Sequence, residues 1–113
     1  MAAVELAQID ELSDIPLSVE VPGLDYNLLL VKLGDHVYAV QDECSHGHVK
    51  LSEGDVDEWE CSIECYLHGA NFSLKTGEAL NLPATQPIAA YPCTIQGSAV
   101  LVDIDHPTTT EEN

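Results

Sequence analysis

The chain has 113 residues, enough for one domain with a single modest core, and its 45% hydrophobic content suits a globular protein rather than a disordered one. Its charge is unusual: 20 Asp and Glu stand against 3 Lys and no Arg, for a net charge of −17. That balance excludes nucleic acid and anionic membrane surfaces as partners, and leaves either a docking surface for basic partners or a salt-adapted, solvated surface.

Met1-Ala2-Ala3-Val4-Glu5 has neither the basic nor the apolar segment of a signal peptide, and the longest apolar run, residues 28–31, is too short to cross a bilayer. A cytoplasmic, unanchored protein is expected. Residues 4–7 predict a short first strand, followed by a polar turn at residues 10–14 before Pro16. Leu17-Ser18-Val19-Glu20-Val21 alternates apolar with polar, the period of a half-buried strand, and Pro22-Gly23 ends it. Residues 26–33 and 36–40 are two further runs joined at Gly34-Asp35, a hairpin signal, so the first third reads as an antiparallel meander. Trp59, Cys61, Ile63 and Cys65 alternate with Glu58, Glu60, Ser62 and Glu64. Period two predicts a strand over 58–65 with the first set facing inward and Cys61 a core side chain. Residues 71–75 and 78–80 flank Thr76-Gly77 as another hairpin, and Pro83, Pro87 and Pro92 punctuate a stretch unsuited to a central strand. Residues 94–95 and 99–104 form a last hairpin across Gln96-Gly97-Ser98. The domain is expected over residues 1–106, with 107–113 a disordered polar tail. The fold class is mostly β.

The chemistry gathers in residues 44–68. One end reads Cys44-Ser45-His46-Gly47-His48, the other Cys65-Tyr66-Leu67-His68-Gly69, so a C-x-H and a C-x-x-H lie eighteen residues apart. Thiolates suit iron–sulfur clusters, and two His replace two Cys on one iron in the Rieske [2Fe–2S] centre. Two mixed pairs on separate loops would let Cys44 and Cys65 hold one iron, and His46 and His68 the other. A Cys2His2 set also holds structural zinc, but zinc pairs come like with like, C-x2–4-C and H-x3–5-H. A Cys44–Cys65 disulfide would leave both His unexplained.

With Gly69, Phe72, Thr76-Gly77 and a Pro-containing loop following it, the 44–68 motif resembles the Rieske ferredoxins of bacterial ring-hydroxylating oxygenases. It is also similar to ferredoxin-like proteins of that type associated with iron–sulfur assembly. The resemblance runs from about Val4 to Ile104, departing in the long spacer between the loops and in the extra His48 and Cys61. It implies an antiparallel β-sandwich with a small cluster-binding subdomain of two loops, and one [2Fe–2S] cluster per chain on Cys44, His46, Cys65 and His68. It also implies a non-catalytic monomer that passes electrons from a ferredoxin reductase to an oxygenase or other redox acceptor through basic docking surfaces. Leu82-Pro83-Ala84 is the candidate for the loop that covers the cluster, and Gly69 for close backbone approach to it. High-potential relatives resemble C-T-H-x-G-C and C-x-C-H-G-S-x-Y, with a disulfide between loops and hydroxyls bonded to sulfur. The matching positions here are Val49 and Leu67 for the bridge, Ala70 and Phe72 for the hydroxyls, which implies a low potential.

His48 is a candidate neighbour of the cluster rather than a ligand. His36 and His106 read as surface residues, and Cys93 as a buried, inert thiol at a strand start. No catalytic triad or Gly-rich phosphate loop stands out. The accessory role in cluster assembly and the zinc module remain the alternatives.

Overall fold

The computed structural model describes residues 3–12, 16–34, 36–43, 50–65, 69–80 and 87–104. These contain ten strands: β1 Ala3–Gln8, β2 Leu17–Val19, β3 Leu28–Leu33, β4 His36–Gln41, β5 Asp55–Asp57, β6 Ser62–Glu64, β7 Asn71–Ser73, β8 Ala90–Tyr91, β9 Cys93–Gln96 and β10 Ala99–Asp103. They pair into three antiparallel sheets, ordered β1-β10-β9, β2-β3-β4-β8 and β5-β6-β7. Single 3-10 turns occur at Ile9–Glu11 and Leu51–Glu53.

The β3–β4 hairpin is the spine. Leu33 pairs with His36, so the turn is the two residues the sequence marks, and Gly34 takes the positive φ of 62° that such a turn requires. Leu28, Leu29, Leu30 and Val31 are all buried, an unbroken run rather than an alternation. The reason is that both faces of this hairpin are covered. Leu28, Leu30, Val37 and Ala39 pack with Ala7, Val100 and Val102 from the first sheet. Leu29, Val31 and Val40 pack on the opposite side with Ile63 and Phe72 from the third. The architecture is the expected mostly-β sandwich with a small subdomain laid on one face.

The chain ends of the sandwich are tied by their own details. A bulge between Glu5 and Ala7 re-aims β1 against β10. The Ile9 amide donates to the Ser98 carbonyl at 2.7 Å, closing that turn over the last hairpin. Ala99 pairs with Gln96, so the last hairpin turns on Gly97-Ser98 alone, one residue tighter than the sequence reading. β8 sits on the edge of its sheet between Pro87 and Pro92, which fits the exclusion of prolines from inner strands. The Tyr91 hydroxyl pairs with that of Tyr26, and burial, aided by this bond, raises the Tyr91 pKa.

One expected strand is corrected. Residues 58–61 form a turn, not the first half of a strand over 58–65, and Trp59 is 97% exposed instead of facing inward. Asp57 causes this: its Oδ1 accepts the amides of Trp59 at 2.9 Å and Glu60 at 3.3 Å. An Asx turn of this kind competes directly with a ladder. Cys61 then takes φ 52°, rare for a residue with a side chain, and its carbonyl accepts the Leu74 amide at 2.9 Å. The hairpin is therefore β5–β6, with Asp57 opposite Ser62 and four residues at its tip.

Candidate metal centre

Cys65 follows β6 directly and shares its inward face with Ile63; both are fully buried. Its amide donates to the Ala70 carbonyl at 2.7 Å, and its carbonyl accepts the Gly69 amide at 2.8 Å. The chain thus leaves Cys65 and returns beside it, through a Gly69 at φ +76° where a residue with a Cβ would be strained. Ala70 and Phe72, the two positions without a hydroxyl, are fully buried in the same apolar cluster as Cys65.

The described residues flanking the other loop are tied by one buried carboxylate. Asp42, just beyond β4, is 3% exposed. Its Oδ2 accepts the Ser18 hydroxyl at 2.6 Å and its Oδ1 the Ser52 amide at 2.8 Å. The Asp42 amide donates to the Asn27 carbonyl at 2.9 Å. One buried carboxylate therefore clasps the residues just before and just after 43–51. Beyond the clasp, Leu51 is buried in the cluster that contains Cys65. Gly54 lies flat against Glu64: a Cβ there would sit 1.7 Å from the Glu64 carbonyl oxygen. The exit of the first loop and the entry of the second are thereby packed together. Neither Asp42 nor Gly54 carries a signal in composition or periodicity; the nearness of Asp42 to the C-x-H pair was the available clue.

Of the four expected ligands, Cys65 is among the described residues, while Cys44, His46 and His68 lie outside them, as do His48, Val49, Leu67, His106, the tail and Leu82-Pro83-Ala84. Among the described residues no group of three His, Cys, Asp or Glu could hold a metal ion. The donor chemistry fits an iron–sulfur cluster: a fully buried thiol within an apolar shell that also holds Leu51, at the exit of the loop that carries the C-x-H pair. Cys61 is half-buried against the core; burial raises the pKa of Tyr38, and the neighbouring Cys61 thiol adds to the rise. Cys93 opens β9, half-buried rather than fully, and burial pushes its thiol up to about 11, so it stays protonated at neutral pH. His36 is exposed, its ring 6.3 Å from that of Tyr38.

Residues 2–92 match the profile of the Rieske [2Fe-2S] domain. The chain belongs to the Rieske family. Its cofactor is accordingly a [2Fe–2S] cluster. This Rieske chain is 44% identical over 77 residues to the 3-phenylpropionate/cinnamic acid dioxygenase ferredoxin subunit of Shigella boydii serotype 4 (strain Sb227), covering 68% of this chain and 72% of that one. Its fold is similar to that of the ferredoxin of carbazole 1,9a-dioxygenase from Nocardioides aromaticivorans IC177, with TM-score 0.83, 33% identity, and 90% and 97% of the two chains covered. A ferredoxin solved in complex with the oxygenase of carbazole 1,9a-dioxygenase aligns with TM-score 0.80 and 26% identity, over 98% of this chain and 97% of that one.

Proposed function

We propose that this Rieske protein is a one-electron carrier, the ferredoxin component of a multicomponent oxygenase system. It would take an electron from a reductase and pass it to an oxygenase-type acceptor without itself catalysing a reaction. Cys44 and Cys65 would hold one iron and His46 and His68 the other, within a domain spanning residues 1–106. The observation that carries this reading is the packing of Leu51 and Gly54, at the exit of the first loop, against Glu64 and Cys65 at the entry of the second. The relatives reported above are ferredoxin components, which favours a carrier over an accessory of cluster assembly.

When bound, the cluster supplies a one-electron redox couple; the protein supplies ligands, insulation and a docking face. Asp42 and the Gly69–Cys65 bond hold the described loop ends in place. Leu51, Ile63, Ala70 and Phe72 keep water from the Cys65 side. Ala70 and Phe72 have no hydroxyl to donate to sulfur, and the surrounding acids oppose the arrival of an electron. The potential is therefore expected near the low end, about −150 mV, of the Rieske span. The partner is expected to dock a basic surface against a monomeric, cytoplasmic carrier.

The test is purification from iron-replete cells. About two iron and two labile sulfide per chain, with the low average g value of mixed His/Cys ligation in the reduced protein, is the expected result. Stoichiometric zinc without visible absorption would overturn it. A midpoint above about +100 mV would refute the loop comparison while leaving the carrier reading intact.

A further inference from the structure

Trp59 is the only tryptophan of the chain, and it stands 97% exposed at the tip of the β5–β6 hairpin. Large aromatic side chains are ordinarily drawn into cores or interfaces, because water gains most from their removal. The Asp57 turn, the Leu74–Cys61 backbone bond and the packing of Cys61 against the core hold the tip in a defined shape. Beside the indole runs an open groove of about 580 Å³, walled by Asp57, Glu58, Glu60 and Glu64, with no basic residue among those lining it. Trp59 is thus an aromatic surface set in a ring of carboxylates.

We propose that this tip is the anchor for a cationic protein partner, with an arginine or lysine side chain lying on the indole and held by Glu58 and Glu60. The charges select the occupant. A second copy of a −17 chain would bring acid against acid. A free quaternary amine would need several aromatic walls, and this groove has one. A guanidinium satisfies both features at once, stacking on the indole and bonding carboxylates through its fork. The tip precedes Ser62 and the ligand Cys65 follows Glu64, so about 10 Å of strand separates the grip from the thiol end of β6. A partner held at Trp59 grips the subdomain at the end opposite Cys65. Identifying that cationic partner as the redox partner rests on the carrier reading; the existence of the cation-binding tip does not.

The test uses the holo-protein and hexa-arginine peptide as probe, followed by emission of Trp59 and by titration calorimetry at low salt. Binding should perturb the emission. W59A should weaken affinity about five-fold, E58Q/E60Q by a similar factor, and W59F less than W59A. E20Q/D25N removes the same charge from the β2–β3 connection and should change affinity less than about two-fold. Unchanged binding in W59A, or an equal loss in E20Q/D25N, would reduce the effect to diffuse net charge and overturn the proposal. Concentration-dependent sedimentation that W59A abolishes would make the occupant a second copy and overturn it too. The visible spectrum of the same samples separates the readings: no cluster in the wild type defeats the carrier reading alone, and an intact spectrum in W59A assigns any loss of binding to the tip.

Discussion

The two faces of the β3–β4 hairpin carry different kinds of structure. On one face, six paired positions along β3–β4 and a long β1–β10 ladder bury aliphatic side chains against one another. On the other, the small sheet is built from strands of three residues, too short to be stable alone. What fixes it is a set of particular atoms: the Asp42 carboxylate, the flat contact of Gly54 with Glu64, the return of Gly69 to Cys65. The first region is held by pattern, so many substitutions of similar shape would serve. The second is held by points, and in the proposed holo-protein the cluster adds more of them, because metal binding and folding are coupled.

The largest effect should come from removing those points. Cys44→Ser or Cys65→Ser is expected to lose the cluster, since in the proposed ligand set these two thiolates carry the charge that holds ferric iron. Amides of β5, β6 and β7 should then lose hydrogen-exchange protection, while those of β3, β4 and β10 keep theirs. Uniform loss of protection across all sheets would erase the distinction between the regions. His46→Cys or His68→Cys should retain a cluster with an altered spectrum. His48→Ala and Cys61→Ala should leave the spectrum intact, and cluster loss in His48→Ala would overturn the ligand set.

Glycines draw the same line on a smaller scale. A Cβ at Gly54 would meet the Glu64 carbonyl oxygen at 1.7 Å, and backbone has to move to admit it. Gly54→Ala is expected to cost about 2–4 kcal/mol and to shorten cluster retention, through Glu64 and its neighbour Cys65. Gly97, in the last hairpin of the sandwich, meets nothing within 4 Å and is constrained only by its φ of +63°. Gly97→Ala should cost about 1–2 kcal/mol and leave cluster retention unchanged. Denaturant midpoints and the decay of the visible absorption measure both.

Charge is also unevenly placed. Eight of the 20 acids fall between positions 42 and 64, against Lys50 alone. Asp42 leaves the docking count, since it is 3% exposed and hydrogen-bonded. Asp55, Asp57, Glu58 and Glu60 are exposed around the small sheet. Screening acts over about 8–10 Å at physiological salt, so second-order electron transfer to the partner should slow several-fold from about 10 to 500 mM salt. A rate indifferent to salt would assign the acids to solvation instead.

The sandwich was largely legible in the sequence, and the small sheet was not, for a physical reason. Turns such as Gly34-Asp35 and Gly97-Ser98 advertise themselves through residues that tolerate positive φ, and residues 17–19 alternate as a half-buried strand does. The 28–31 run was legible as a strand, although its burial on both faces depends on a sheet formed much later in the chain. Residues 58–61 alternate by coincidence: the Asp57 side chain takes the amides a ladder would need, and periodicity does not see it. Asp42 shows the same limit, since a buried carboxylate looks like any other acid until Ser18 and Ser52 are placed around it. Cys65 was legible because its chemistry is rare, and its burial agrees with the inward face expected of it.

The smallest predicted effect lies at Ser62. It is fully buried in β6, opposite Asp57 and Ser73, and its Oγ is the buried side-chain atom left without a hydrogen-bond partner among the described residues. The neighbouring Ser73 hydroxyl is engaged with the amides of Lys75 at 3.2 Å and Thr76 at 3.3 Å. A buried hydroxyl with no partner loses its water and gains nothing, at a cost of about 1–3 kcal/mol. Ser62→Ala removes that cost, and gives part of it back through a small void and the lower strand propensity of Ala. The balance should be a gain of up to about 1 kcal/mol, read as a higher denaturant midpoint at unchanged slope. A loss of about 1 kcal/mol instead would show that the Ser62 hydroxyl is one more of the points holding the small sheet, and its partner would then be sought in the segments beside Cys65.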